Sequence, residues 1–275
     1  PRVMPEEKKL KLAILDMYEN APNEGMRCIK AIAQAHADFI DWKVFDVRHK
    51  NEVPSHEYDI YISSGGPGSP FDGEGKAWES KFFTLLDKLW AHNANGHSKK
   101  KYMFGICHSF QLMSRHFELG NVCKRKSTAF GVFPIQKTEV AKHDRFFRNL
   151  PDPYYVVDSR DWQMIEPDLE KLAALKANVL AVEKRRDHVP LPRAVMAMSL
   201  GEYFYMTQFH PEADAEGMLR LFARPEKRDH IVQNHGDWKL DEMIRNLSDS
   251  EKLPLTHKEV IPSFLRSSIN ALRMS

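Results

Sequence analysis

The sequence contains no long apolar segment. Across its 275 residues, no run reaches the roughly 18 apolar residues that a membrane-spanning helix needs. The first nine residues, Pro-Arg-Val-Met-Pro-Glu-Glu-Lys-Lys, also lack the apolar stretch of a signal peptide. We therefore expect a soluble, cytoplasmic protein that does not associate with membranes.

Cysteine is scarce as well. Cys28, Cys107 and Cys123 are an odd number in unrelated surroundings, and no two of them have the spacing of a zinc site or a redox motif. This argues against a disulfide framework. We predict neither a metal nor a cofactor.

A large excess of one charge is also missing. The chain has 40 Lys and Arg residues against 38 Asp and Glu, a net charge of +2, so no overall attraction to nucleic acid is expected. Basic residues cluster locally in three triplets, 99–101, 124–126 and 184–186. None is interleaved with aromatic residues as a base-stacking surface requires, so we interpret them as solvated loop ends and predict no nucleic-acid partner.

The first half of the chain alternates between strand and helix patterns. Hydrophobic residues make up 42% of the sequence, which is typical of a globular protein. Short apolar runs predict strands at 12–15, 44–47, 58–63 and 102–106, and apolar residues at helical spacing predict helices from Met26 and from Trp78. This indicates an α/β fold of three layers, with a mostly parallel central sheet between helices.

The second half has a different pattern. Five extended pieces follow one another at 131–135, 154–157, 179–182, 194–198 and 203–206, which predicts a small antiparallel extension of the sheet. A further helix should end near Arg224, because proline follows it. We predict a main domain at 1–224 and a C-terminal helical extension at 225–275, which either covers the main domain or docks a partner.

The stretch around Cys107 has the pattern of a nucleophile turn. Tyr102–Ile106 has strand length, and Phe110 and Met113 follow at helical spacing, so the cysteine falls between a strand and a helix. Gly105 leaves room for a sharp turn, and the N-terminus of the helix favours a thiolate. Taken alone, such a cysteine is more often a small buried residue.

Residues 210–212, His-Pro-Glu, supply a base and an acid. In an extended segment, side chains two positions apart lie on the same side, and Pro211 favours the extended form of His210. A carboxylate that orients an imidazole beside a thiol forms a Cys-His-acid relay. Alone, a His-Pro-Glu sequence is more often a surface turn, so its meaning depends on Cys107.

Residues 63–69, Ser-Ser-Gly-Gly-Pro-Gly-Ser, follow a predicted strand. Adjacent glycines can turn backbone N–H groups outward, and acyl transfer needs such donors where the oxyanion develops. We predict that the N–H groups of Gly66 and His108 form the oxyanion hole. A phosphate-binding loop is disfavoured, because neither Gly-Lys-Ser/Thr nor a dinucleotide glycine spacing is present.

These three segments together resemble the class I glutamine amidotransferase family, the glutaminase type found in GMP synthase, anthranilate synthase and carbamoyl phosphate synthetase. The likeness covers about residues 10–224, through 64–69 (Ser-Gly-Gly-Pro-Gly-Ser), 105–111 (Gly-Ile-Cys-His-Ser-Phe-Gln) and 208–212 (Gln-Phe-His-Pro-Glu). It implies a flavodoxin-like fold with Cys107 as nucleophile, His210 as base and Glu212 as its orienting acid. It also implies that Gln111 lines the substrate pocket.

The sequence departs from the family pattern at three places. Ser109 replaces the second glycine of the nucleophile turn, Thr-Ala-Phe-Gly at 128–131 replaces Glu-Phe-Gly, and Ser-Arg-Asp-Trp at 159–162 replaces a Ser-His-x-Asp-like run. Arg160 is interpreted in two ways. It is either a substrate-binding residue that holds a carboxylate in a bidentate pair or an exposed loop arginine.

The resemblance implies hydrolysis of the glutamine γ-amide through a cysteine thioester, which gives glutamate and ammonia. No ATP-binding module is visible, so the ammonia would pass to a separate synthetase, such as a GMP synthase-type partner. One alternative is a free-standing γ-glutamyl peptide hydrolase. The other is a non-catalytic binding module on the same fold.

Overall fold

The structure is a computed structural model, and it describes residues 7–275. The strands are β1 (Leu10–Asp16), β2 (Ile40–Asp46), β3 (Ile60–Ser63), β4 (Tyr102–Ile106), β5 (Asn121–Lys137), β6 (Tyr154–Ile165), β7 (Ala177–Glu183), β8 (Val195–Leu200) and β9 (Phe204–Thr207). The helices are α1 (Gly25–Gln34), α2 (Val47–Lys50), α3 (Ala77–Ala94), α4 (His108–His116), α5 (Leu169–Ala174), α6 (Ala215–Phe222), α7 (Pro225–His235), α8 (Asp237–Ser248), α9 (Leu253–Glu259) and α10 (Ile261–Met274).

All of these strands form one sheet in the order β2-β1-β3-β4-β9-β8-β7-β5-β6. The pairs from β2 to β9 are parallel, as expected for strands that are apolar on both faces and covered by helices on both sides. The register aligns Ser63 with Gly105 and Ile106 with Thr207. The carboxyl ends of the neighbouring strands β3, β4 and β9 therefore lie side by side. The three candidate segments begin at these strand ends.

The α/β fold with helices flanking the sheet is confirmed, but the antiparallel part is larger than expected. Four of the eight strand pairings are antiparallel, those that join β9 to β8, β8 to β7, β7 to β5 and β5 to β6. Residues 121–128 of β5 are exposed or half-buried and mostly polar, and β6 is exposed or half-buried at 161–163. An apolar pattern therefore reveals only the inner part of each strand.

The triplet at 124–126 corrects another expectation. It lies within β5, where Lys124 pairs with Trp162 of β6, and is not a loop end. The register shifts between Lys124 and Ala129, so the hairpin is irregular at this point. The triplet at 184–186 does follow the end of β7.

The apolar core lies on both faces of the sheet. One cluster joins β1, β3 and β4 to α1 and α10, and a second joins the opposite face to α3 and α4. A third cluster lies between β5, β6 and helices α6 to α8. No helix in the described part of the chain is long and apolar enough to cross a membrane.

The last helices contribute directly to this core. Phe264 of α10 is fully buried against Tyr102, Phe104 and Tyr205. In α9, the Nδ1 atom of His257 lies 2.9 Å from the carbonyl oxygen of Glu212. Four helices follow residue 224, in the region predicted to form a helical extension.

The side chain of Trp238 in α8 is largely exposed. It is the second residue of α8, and the buried residues of this helix begin at Leu240. The division of the chain after residue 224 remains a prediction.

Candidate active site

Cys107 lies between β4 and α4, as the sequence predicts. Its backbone has φ 49° and ψ −96°, a conformation that non-glycine residues rarely adopt and that often marks a functional residue. The Cys107 N–H donates to the carbonyl of Thr207 at 2.8 Å, so β9 holds the turn. A Cβ on Gly105 would lie 2.6 Å from the sulfur of Met113, which explains why glycine precedes this turn.

Ser109 fits into the turn by making hydrogen bonds. Its buried hydroxyl donates to the carbonyl of Ser64 at 2.6 Å and lies 2.6 Å from the hydroxyl of Ser63. The first turn of α4 is therefore tied to the end of β3. The departure from the family glycine at this position leaves the strand-turn-helix shape in place.

His210 and Glu212 form a close pair. The Nδ1 atom of His210 lies 2.7 Å from Oε1 of Glu212, and the carboxylate is almost fully buried. The His210 N–H donates to the carbonyl of Val157 in β6 at 2.9 Å, which holds the backbone of the segment extended. The carboxylate is thus placed to orient the imidazole.

The glycine segment shows how close the thiol and the imidazole are. A Cβ on Gly65 would lie 2.8 Å from Cε1 of His210 and 3.5 Å from Cβ of Cys107. One small space therefore borders all three segments, and only glycine leaves it open. Gly65, which the sequence interpretation did not single out, borders this space directly.

The charge state of His210 follows from its neighbours. Burial alone would lower the pKa of its imidazole, but the charges of Glu212 and Cys107, together with hydrogen bonds to both, raise that pKa well above its usual value. The imidazolium form is therefore favoured beside the sulfur. A protonated imidazole at this position can deliver a proton to a leaving group.

The two predicted oxyanion donors belong to the residues that follow Gly65 and Cys107, both of which border this space. Over residues 7–275 the structure records no acceptor for the N–H groups of Gly66 and His108, so both remain available. A Cβ on Gly66 would collide with the carbonyl oxygen of Met17, so a side chain cannot fit there. Their catalytic role remains a prediction.

The His108 side chain is buried and neutral. Burial, reinforced by the charges of Arg48 and Arg115, lowers the pKa of its imidazole to about 3. Its backbone N–H is the first of α4, where the helix leaves its donors free. A neutral side chain at this position adds no charge that would compete with the dipole of the helix.

Gln111 reaches the thiol through another residue. Its Nε2 donates to Oε1 of Gln208 at 3.3 Å, and Nε2 of Gln208 lies 3.6 Å from the Cys107 sulfur. Gln208 was not predicted as a site residue. Gln208 lies two positions before His210, as His210 lies two positions before Glu212. In an extended segment this places all three side chains on the same side, so the sequence did contain a signal for Gln208.

Arg160 lies where its charge is already neutralised. The guanidinium is buried and donates to Asp158 at 2.9 Å and to Glu183 at 2.5 Å. Burial alone would raise the pKa of Glu183, but the charges of Arg160 and Arg125 hold it at about 2. Neither interpretation of Arg160 from the sequence fits, because the side chain is not exposed and its donors are occupied by Asp158, Glu183 and the carbonyl of Trp162.

Tyr18 is a third residue that the sequence did not indicate. Its hydroxyl lies 3.1 Å from the position of a Cβ on Gly65 and closer still to one on Gly25. Burial and the charges of Glu212 and Cys107 raise the pKa of this phenol well above its usual value, so it stays protonated. The turn after β1 therefore places a neutral hydroxyl beside the thiol and the imidazole.

These side chains suit acyl transfer through sulfur. They provide a thiol, a base with an orienting acid, and free N–H groups around one space. Nowhere between residues 7 and 275 do three His, Cys, Asp or Glu side chains group as a metal site would require.

Comparison with solved structures shows the same fold in other proteins. A glutamine amidotransferase from Thermotoga maritima aligns with a TM-score of 0.68 at 16% identity, over 95% of this chain and 99% of that one. A protein from Thermoplasma acidophilum, proposed to belong to a GMP synthase, aligns with a TM-score of 0.56 at 16% identity, over 97% and 96%. The glutaminase domain of Trypanosoma brucei CTPS, solved with acivicin, aligns with a TM-score of 0.53 at 14% identity, over 74% and 86%.

A comparison with curated proteins found no match. The family model of class-I glutamine amidotransferases matches residues 21–222, which is most of the sequence and spans the cysteine turn, the glycine segment and the His-Pro-Glu segment. The chain therefore belongs to the class I glutamine amidotransferase family.

Proposed function

We propose that this protein hydrolyses the γ-amide of glutamine through a thioester on Cys107. The observation that carries the proposal is the space beside Gly65, which both the Cys107 and His210 side chains border while Glu212 holds the imidazole at 2.7 Å. Family membership supports the same chemistry.

In the first half of the reaction, the thiol proton of Cys107 has passed to His210, and the sulfur attacks the γ-carbonyl carbon of glutamine. The carbonyl oxygen becomes an oxyanion, which the N–H groups of Gly66 and His108 stabilise. The C–N bond then breaks, and His210 returns the proton to the leaving nitrogen. This step releases ammonia and leaves the γ-glutamyl thioester.

In the second half, His210 takes a proton from water as the water oxygen attacks the thioester carbon. The C–S bond breaks, glutamate leaves, and the sulfur regains a proton. Glu212 orients the imidazole in both halves and stabilises its charged form. Gln111 and Gln208 are assigned to the wall of the substrate pocket, because their amides connect to the thiol.

The ammonia would serve a separate synthetase. Two of the similar structures are named as part of a GMP synthase and as the glutaminase domain of a CTPS, and these names motivate a synthetase partner for this chain. Co-purification from native cells would identify such a partner.

The test is exposure to a glutamine-like electrophile, followed by mass spectrometry. A single addition at Cys107, lost in Cys107→Ser, together with ammonia release from glutamine, is the expected result. Cys28 and Cys123 serve as controls within the same molecule. Equal modification of all three cysteines with no hydrolysis would favour a non-catalytic binding module.

Free-standing hydrolysis of γ-glutamyl peptides is the second candidate. It is favoured by the departures from the family pattern at 128–131 and 159–162, which border the glutamine pocket in the family. Rates with glutamine and with γ-glutamyl dipeptides separate the two. Cleavage of dipeptides alone would reverse the ranking.

A further inference from the structure

A second cavity lies on the antiparallel half of the sheet. Its volume is about 860 Å³, and it is bordered by β5, by the loop from 184 to 193 and by the junction of α7 and α8. The lining includes Asp158 of β6, whose neighbour Ser159 accepts a hydrogen bond from the Cys107 thiol at 3.6 Å. The cavity therefore begins one residue from the candidate active site.

The cavity is strongly basic. Eight Lys or Arg residues line it against three Asp or Glu residues, whereas the entire chain has a net charge of only +2. Two of the three basic triplets of the sequence, 124–126 and 184–186, meet here although they are far apart in the chain. Arg193 and Lys239 complete the set.

The lining acids are already paired. Glu183 accepts hydrogen bonds from Arg125 and Arg160 at 2.5 Å each, and Asp158 pairs with the same Arg160. Asp187 lies 2.8 Å from Arg185.

Several cations remain without an acidic partner. Within the part of the chain that the structure describes, no carboxylate is recorded beside Lys124, Lys126, Lys184 or Arg186. The charges of two lining cations also act on His235, which lines the same cavity. Burial is the main cause that lowers the pKa of this imidazole, and the charges of Lys239 and Arg186 lower it further.

The volume and the lining of the cavity favour one kind of anion over others. Its volume falls within the range of about 300–1,000 Å³ that is typical of small-molecule sites. Phe133, Ile135 and Leu191 add apolar surface next to the cations, which suits an organic body that carries charged groups. Phe133 is the only Phe, Tyr or Trp in the lining, so the stacking platform of a single-stranded nucleic-acid site is missing there.

We infer that this cavity binds a small organic molecule with at least two anionic groups, carboxylate or phosphate. The triplets at 124–126 and 184–186 supply the cations that hold the charged groups, and the Arg125-Glu183-Arg160 network joins β5, β7 and β6 beside them. This inference does not rest on the proposed hydrolase activity. Binding at the cavity is measurable in a protein with no turnover.

The test is calorimetric titration of the full chain with pyrophosphate and with citrate, using acetate as a singly charged control. Both polyanions are expected to bind more tightly than acetate. Their affinity should fall as NaCl rises from about 0.05 M to about 0.5 M, because salt screens exposed charges. The stronger of the two probes tells whether phosphate or carboxylate is preferred.

Charge reversal locates the site. The double variant Lys126→Glu, Lys184→Glu should weaken binding of the better probe by at least about tenfold, because it replaces attraction by repulsion at both triplets. The control variant Lys88→Glu, Lys99→Glu makes the same change in net charge at exposed residues outside the cavity and should bind as the wild type does. If the first variant does not fold, Lys126→Gln, Lys184→Gln removes the charges without reversing them.

Three results would overturn the inference. The first is absence of polyanion binding to the wild type at millimolar concentration. The second is equal weakening in the cavity variant and the control variant, which would indicate a general charge effect. The third is binding of a single-stranded oligonucleotide with no binding of either small polyanion, which would assign the basic surface to nucleic acid.

Discussion

At the residue scale, the charge of His210 depends on Glu212. The pKa of the imidazole in the folded protein is raised because the carboxylate and the thiol favour the protonated form over the opposing effect of burial. A raised pKa stabilises the folded state fully below the unfolded value of about 6.5. That contribution is lost as pH rises through the folded pKa.

We therefore predict that Glu212→Gln lowers the pKa of His210, as measured by NMR titration of the ring protons. The gap in thermal stability between the wild type and this variant should be largest near about pH 6 and should narrow as pH rises through the wild-type pKa of His210. Some hydrolysis should persist, since the imidazole is still present but less well oriented. A gap that widens with pH would contradict the assigned ion pair.

The adjacent glycines give a second prediction. Gly65→Ala would place a methyl group 2.8 Å from Cε1 of His210, so labelling of Cys107 and turnover should fall by about 100-fold, a loss typical of a small misplacement of reacting groups. Gly66→Ala meets the backbone carbonyl of Met17 instead and should lower the melting temperature more. Equal losses of stability in both variants would argue that Gly65 is only structural.

Individual residues differ in how visible they are in the sequence. Cys107, His210 and Glu212 lie in short motifs whose spacing carries their chemistry, and their positions could be predicted. The ion pair of Arg160 with Glu183 could not be predicted. Glu183 lies 23 residues away and reaches Arg160 only because β7 pairs with β5 of the β5-β6 hairpin. Tyr18 has no motif around it and is brought to the site by the turn after β1.

At the scale of elements, Ser109 joins α4 to β3. Removing a buried hydroxyl that leaves its partners unpaired typically costs about 1–3 kcal/mol, so we expect a loss of this size for Ser109→Ala in denaturant unfolding. Ser114→Ala is the matched control, because its buried hydroxyl bonds only the Phe110 carbonyl of its own helix at 2.8 Å. A larger loss for the control would refute the role of Ser109 as a link between the two elements.

Helix α10 is a structural part of the core. Phe264 is fully buried among aromatic rings of β4, β9 and the segment between β5 and β6, so Phe264→Ala should cost about 3–5 kcal/mol of unfolding free energy. Trp238→Ala, in the same C-terminal region but 66% exposed, should change stability by less than about 0.5 kcal/mol. Similar values for both variants would mean that α10 is only loosely attached.

Elements were predicted best where burial shapes the sequence. The limits of β4 agree with the expectation, because the strand is buried at every position and reads as one apolar run. Residues 121–128 of β5 were missed, since the water-exposed part of a strand needs no apolar residues. Short helices such as α2 and α5 were missed because four or six residues show little periodicity.

At the scale of the whole molecule, the clusters on the two faces of the sheet share the same strands, and α10 completes one of them. We predict that the protein unfolds on heating in a single cooperative transition, with equal calorimetric and van't Hoff enthalpies of unfolding. Two resolved transitions, the weaker one lost on deletion of 225–275, would show that the extension folds as a separate unit. That result would support the division after residue 224.

The contact between His257 and the main-chain oxygen of Glu212 has a practical consequence. A gene shortened to the family match, which ends at residue 222, would encode a protein without His257 and therefore without its contact to the backbone of Glu212. If such a shortened protein is inactive in an enzyme assay, the loss of this contact accounts for the inactivity. The result would not contradict the proposed role of Cys107.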